Sequence, residues 1–168
     1  MKRIYLFCLL LLCSFIGFFG QASPIPEKKS SMLLVENAYI RATIPGTSIS
    51  SSYMVIENRG EKAVTLLSVN SDISPRIEIH QHTMADGMMR MRKLDSIDIK
   101  SKERVKLQPS GLHLMLFDVK KPLKAQQQVE LTLNFSDNVS VTMQLPVYSP
   151  IQEQAAQKTV PKTHEHHH

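Results

Sequence analysis

Midway along the chain runs His80-Gln81-His82-Thr83-Met84-Ala85-Asp86-Gly87-Met88-Met89-Arg90-Met91. Asp86-Gly87 is a hairpin turn signal, and it lies between two strand-like runs. Before it, Arg76 to His82 alternates, with Ile77 and Ile79 on one side and Glu78, His80 and His82 on the other. After it, Met88 to Leu94 reads as the return strand. Residues i and i+2 of a strand share a face. The turn therefore lays the Met88–Met91 segment beside His80–His82, and a β domain follows.

Working outward, short strand-like segments recur. Met32 to Ile40, Tyr53 to Glu57 and Ala63 to Val69 precede the hairpin, with a Pro45-Gly46 loop spanning Arg41 to Ser52. Ile97–Ile99, Val105–Leu107, Leu112–Val119, Gln128–Phe135 and Val139–Val147 follow it. In the third of these, Leu112, Leu114 and Leu116 face one side, and His113, Met115 and Phe117 the other. No segment sustains helical periodicity, and many short strands at spacings near ten residues argue an all-β sandwich or barrel.

The stretch from His80 to Met115 holds five of the nine methionines and three of the seven histidines, and no cysteine. Imidazole with thioether is a soft to borderline donor set that suits Cu(I) better than Mg, Ca or Mn. His80 is followed by Met91 after ten intervening residues, by His113 after twenty-one more, and by Met115 after one more. Taken singly, each methionine reads more readily as core filler and each histidine as structural. The four together read as ligands of one ion. Whether His82, Met84, Met88 or Met89 also ligate is left open by the spacing.

The spacing, with Ile77-Glu78-Ile79-His80, Met89-Arg90-Met91-Arg92 and Pro109-Ser110-Gly111-Leu112-His113-Leu114-Met115-Leu116, resembles the periplasmic copper chaperones called PCuAC. Their signature is His-x10-Met-x21-His-x-Met. Ala38-Tyr39-Ile40-Arg41-Ala42-Thr43-Ile44-Pro45-Gly46 and Tyr53-Met54-Val55-Ile56-Glu57-Asn58 are similar to the same family, and the likeness spans roughly residues 33–147. Ser110 stands where the family often has glycine, which alters the turn and leaves the site. The resemblance implies a cupredoxin-like β-sandwich and Cu(I) held by His80, Met91, His113 and Met115. It also implies delivery to an acceptor such as an oxidase subunit or another copper chaperone, with the CuA centre of a respiratory cytochrome oxidase as the expected recipient.

The ends of the chain carry their own signals. Lys2 and Arg3, then an apolar run from Ile4 to Phe19, then Gly20-Gln21-Ala22, read as a secretory signal over 1–22. The expected product is periplasmic or otherwise exported, with no stable membrane span once the signal is cleaved. Residues 23–31 form a polar lead-in, 32–148 the β domain, and 149–168 a flexible His-rich tail. Both cysteines, Cys8 and Cys13, fall inside the signal. The remainder can have neither disulfides nor a blue-copper thiolate site. Losing Lys2 and Arg3 lowers the net charge from +5 to +3, and with no aromatic-interleaved basic patch nucleic acid is not expected.

His164, His166, His167 and His168 form a second, less selective site expected to take Cu(II) or Zn(II). No nucleophile motif, phosphate loop or HExxH helix is present, and Asp95 and Asp98 read as solvated charges, so an enzyme is not expected. The readings weighed against a chaperone are a metallo-enzyme or redox protein, a metal-free adhesion or assembly β-sandwich, and a general copper and zinc buffer.

Overall fold

In the computed structural model, residues 32–85 and 87–159 are described. Ten strands follow one another: β1 (Leu33–Arg41), β2 (Ser50–Asn58), β3 (Val64–Asn70), β4 (Arg76–Ala85), β5 (Met88–Leu94), β6 (Ile97–Ile99), β7 (Arg104–Leu107), β8 (Leu112–Phe117), β9 (Gln128–Phe135) and β10 (Ser140–Tyr148), then one helix, α1 (Pro150–Thr159). The all-β expectation holds, and the signal over 1–22, the lead-in over 23–31 and the terminal histidines lie outside the described residues. The Pro45-Gly46 loop is shorter than expected, because β2 begins at Ser50. Ser50 and Ser52 donate to the Arg41 and Tyr39 carbonyls at 2.6 and 2.9 Å, so these serines extend the ladder instead of ending it.

The strand order is β5-β4-β8-β7-β2-β1-β10-β9-β3-β6, with β8 also pairing β2. One half, from β5 to β1, joins the other, from β10 to β6, through a short parallel pairing of Ile40 with Val147 and Arg41 with Tyr148. The two halves face each other across the core. Ile40, Met54, Ile56, Ile79, Leu114 and Leu116 pack from the first half, and Leu66, Ile99, Leu131, Leu133, Leu145 and Val147 from the second. This alternation sends the intervening residues of β4 and β8, His80 and His113 among them, to the outer face of the first half.

The expected hairpin is β4–β5, with Gly87 at φ +73° in the left-handed conformation that glycine adopts without steric cost. Beyond Leu94, β5 has no core to face, and its residues Met88–Lys93 are all exposed. Ser110 also sits at positive φ, +63°, the physical reason that a glycine suits that position.

The expectation of a flexible tail from 149 is corrected over its first part. Residues 150–159 form α1. Ser149 and Gln152 make a reciprocal cap: the Gln152 amide donates to Ser149 Oγ at 3.3 Å, and the Ser149 amide to Gln152 Oε1 at 2.9 Å. Ser-x-x-Gln is a capping box, and Pro150 sits at the first helical position, where its missing N–H costs nothing. Gln, Ala and Lys, which dominate this segment, are good helix formers. Glu153 buries its carboxylate, 6% exposed, against the sheet. Arg41 donates to it from Nε at 2.8 Å and from its terminal nitrogen at 2.5 Å, and the Tyr39 hydroxyl donates at 3.4 Å.

Candidate metal centre

Strand register assembles the site. His80 of β4 lies directly across from His113 of β8, and Glu78 across from Met115. On the other side of β4, His82 lies across from Met91, and Met84 across from Met89. Directly paired residues share a face. One outer surface therefore carries Glu78, His80, His82 and Met84 on β4, Met89 and Met91 on β5, and His113 and Met115 on β8. All four residues of the sequence motif are on it. The rings of His80 and His113 are 6.0 Å apart, and those of His82 and His113 only 4.9 Å. Met91 is one rung displaced from His80, in the rung of His82.

Hydrogen bonding fixes which atoms are free. His80 Nε2 is 2.8 Å from Glu78 Oε2. A carboxylate only accepts, so Nε2 carries the proton and Nδ1 keeps its lone pair. That Nδ1 is buried and has no partner. His113 Nδ1 is 3.0 Å from the Gly111 carbonyl, so it donates and leaves Nε2 as the lone-pair nitrogen. Carboxylate or carbonyl behind an imidazole is the arrangement that orients metal-binding histidines and raises their basicity. The Ser51 hydroxyl lies 3.6 Å from Met115 sulfur and positions that side chain. His82 Nδ1 is likewise buried without a partner. A buried polar atom with no hydrogen bond is costly, and an ion on this face would satisfy both nitrogens.

Electrostatics divide these side chains. His113, 3% exposed, has its pKa lowered, first by burial and further by the neighbouring His82, His80 and Arg41, against the opposing Gly111 hydrogen bond. It is held neutral, the form that binds metal. Glu78 is held ionised, its pKa lowered to about 2 chiefly by the His80 hydrogen bond, with Arg76 and Lys93 adding to it. The rim is basic: the Arg76 guanidinium lies 4.0 Å over the Phe117 ring, and Lys93 pairs with Glu78 at 3.3 Å. Behind His113, Tyr53 lies at 6.4 Å, with the Arg41 guanidinium 5.4 Å over its ring.

Among the described residues, no three His, Cys, Asp or Glu side chains are grouped to hold an ion by themselves. The thioethers of Met91 and Met115 share this surface with the imidazoles, and thioether sulfur suits a soft ion. Sequence reasoning placed Glu78 on the His80 face and gave it no role, although Glu-x-His in a strand is a signal for a carboxylate behind an imidazole. Nothing in the sequence singled out Ser51 or Tyr53. The tail set, His164, His166, His167 and His168, lies outside the described residues.

The β-sandwich thus presents one outer face of imidazoles and thioethers, donors that suit a soft ion. The chain belongs to the LpqE-like lipoprotein family, which it matches over residues 33–147. It is similar to Lxx21020 of Leifsonia xyli subsp. xyli, a protein whose name calls it a lipoprotein, with 26% identity over 123 residues, 73% of each chain. In structure it is similar to a copper-bound PCuAC domain from PmoF2, with TM-score 0.61, 24% identity, and coverage of 71% of this chain and 94% of that one. It is also similar to the Cu(I) form of DR1885 from Deinococcus radiodurans, with TM-score 0.60, 23% identity, and coverage of 79% and 83%. These likenesses give the PCuAC fold. Among the described residues no helix is long and apolar enough to cross a membrane.

Proposed function

We propose that the protein is an exported copper chaperone that holds one Cu(I) between His80, Met91, His113 and Met115 and passes it to a copper acceptor. The observation that carries this reading is the buried, unpartnered Nδ1 of His80, backed by Glu78 and facing His113 on a surface otherwise supplied with thioethers. Copper named in the structures of PmoF2 and DR1885 supports the choice of metal. The acceptor we favour is the CuA centre of a respiratory cytochrome oxidase, whose thiolates would draw the ion from neutral ligands. The periplasm is the compartment that fits a lipoprotein family and a basic, apolar leader.

X-ray absorption on the copper-loaded protein, truncated after Thr159 to remove the terminal histidines, tests the donor set. Mixed sulfur and nitrogen scattering is expected. A shell of nitrogen and oxygen alone would sink the assignment. Transfer is tested by mixing the loaded protein with a soluble CuA domain under reducing conditions, and a copper content that stays with the chaperone refutes delivery to that acceptor.

A further inference from the structure

The soft side chains do not stop at the four motif positions. Along the outer face they continue as rungs toward the hairpin tip. The first rung pairs His80 with His113, the second pairs His82 with Met91, and the third pairs Met84 with Met89. Alternate residues of a strand are about 7 Å apart, so each rung is one side-chain length from the next. Exposure rises in the same direction: His113 is 3% exposed, Met91 49%, Met89 61% and Met84 68%. Met88 lies across from Ala85 and belongs to the opposite face.

Neither packing nor propensity explains these methionines. The hairpin arm has no core behind β5, and strands favour β-branched and aromatic residues. An exposed edge is ordinarily blunted with charge, as Arg90, Arg92 and Lys93 do on this strand. Large exposed thioethers paired across an edge hairpin add apolar surface with no fold-level return. Their distinguishing chemistry is affinity for soft ions. Next to them stands His82, with its buried, unpartnered Nδ1.

We propose that His82, Met84 and Met89 form a second, outer Cu(I) station, one rung nearer the hairpin tip than the inner set, with Met91 between the two. Two thioethers and one imidazole make a neutral, soft, three-donor site. The exposed station would take the ion up or hand it over, and Met91 would carry it to or from the buried end. The direction of this traffic rests on the inner set being the copper site, and the existence of the station does not.

The test follows methionine methyl groups by NMR in the full chain, 13C-labelled at the methionine methyls and titrated anaerobically with Cu(I) past three equivalents. The first equivalent should move Met91 and Met115, and further copper should move Met84 and Met89. In a Met84→Leu/Met89→Leu variant the first event should persist with its affinity unchanged, and the binding event assigned to Met84 and Met89 should be lost. His82→Ala should weaken that outer event at least tenfold. Met84 and Met89 methyls that stay fixed throughout the titration overturn the station, as does a double variant that binds as many ions as the parent. If Met91 and Met115 are the ones that stay fixed, the inner reading fails, and Met84 and Met89 still decide the outer one.

Discussion

Removing the Arg41–Glu153 pair tests whether one contact docks α1. Glu153 is the one residue of Pro150–Lys158 that is buried; the others are exposed or half-buried. Its carboxylate accepts two hydrogen bonds from Arg41 and one from Tyr39. Hydrogen bonds to charged groups contribute about 1.5–3 kcal/mol each. The Arg41 side chain remains 36% exposed and regains water when the pair is lost, which lowers the net figure. Ordering the helix offsets a further part. About 2 kcal/mol remains, close to 8 °C in Tm for a domain of this size. Arg41→Ala would strand a buried carboxylate, and a firmly held site would suffer about 3–5 kcal/mol for that. Here the helix can leave the sheet, so the loss stops at the docking free energy. Arg41→Ala, Glu153→Ala and the double variant should therefore be equally destabilised, each by about 2 kcal/mol, with amide exchange across residues 153–158 rising at least tenfold in all three. Thermal unfolding and hydrogen exchange measure both quantities. A double variant that loses the sum of the singles, or an Arg41→Ala helix as protected as the parent's, would refute the reasoning.

Four further outcomes are expected. Glu78→Ala should weaken Cu(I) binding by roughly 10–100-fold, the usual effect of removing the group behind a metal-bound imidazole, and Glu78→Gln by less, because its amide oxygen still accepts from His80; bicinchoninate competition at pH 7.5 measures both, and a change within twofold for the alanine variant speaks against a role for Glu78 behind His80. His113 binds protons less readily folded than unfolded, so metal-free stability should fall as pH drops below the unfolded imidazole value of about 6.5; the Glu78 contribution is lost only between its ordinary value and about 2, so His113→Gln should flatten the profile from pH 7 to 5. Cu(I) affinity should also fall below about pH 6 as protons compete for imidazole, and a flat profile from pH 5 to 8 counts against histidine ligation. Deleting residues 163–168 should abolish Cu(II) uptake and leave Cu(I) affinity unchanged, and Cu(II) titration of the two forms decides it.

Much of this architecture was legible because a β-sandwich writes its faces into alternation. Leu112, Leu114 and Leu116 against His113 and Met115 gave the face of β8, and Asp86-Gly87 with its flanking runs gave the β4–β5 hairpin. What sequence could not supply was cross-strand register. His82 opposite Met91, and Met84 opposite Met89, depend on which residues pair, and a one-residue slip would reverse every face. Ser51 reaches Met115 from a strand 64 positions away, and no local pattern foretells that contact. The helix is a different case. Its capping box, Ser149 to Gln152, was in plain view, but polar composition outweighed it, because only the tertiary partner Arg41 gives the segment a reason to stay folded.

The donor set also constrains which way copper can move. Two imidazoles and two thioethers are neutral, so Cu(I) would keep its single positive charge in the inner set. Glu78 would compensate part of it from behind His80, while Arg76 and Lys93 keep the surroundings basic. A thiolate acceptor offers full negative charge at the metal, and no thioether can match that. On the proposed reading, downhill transfer would need no conformational switch in this chain, only approach of the acceptor to the exposed end of the ladder. His113, the most buried of the four, would be the ligand an incoming thiolate reaches last, and the exposed Met91 the one it reaches first. Replacing Met91 should therefore slow transfer more than it lowers affinity, whereas replacing His113 should do the reverse.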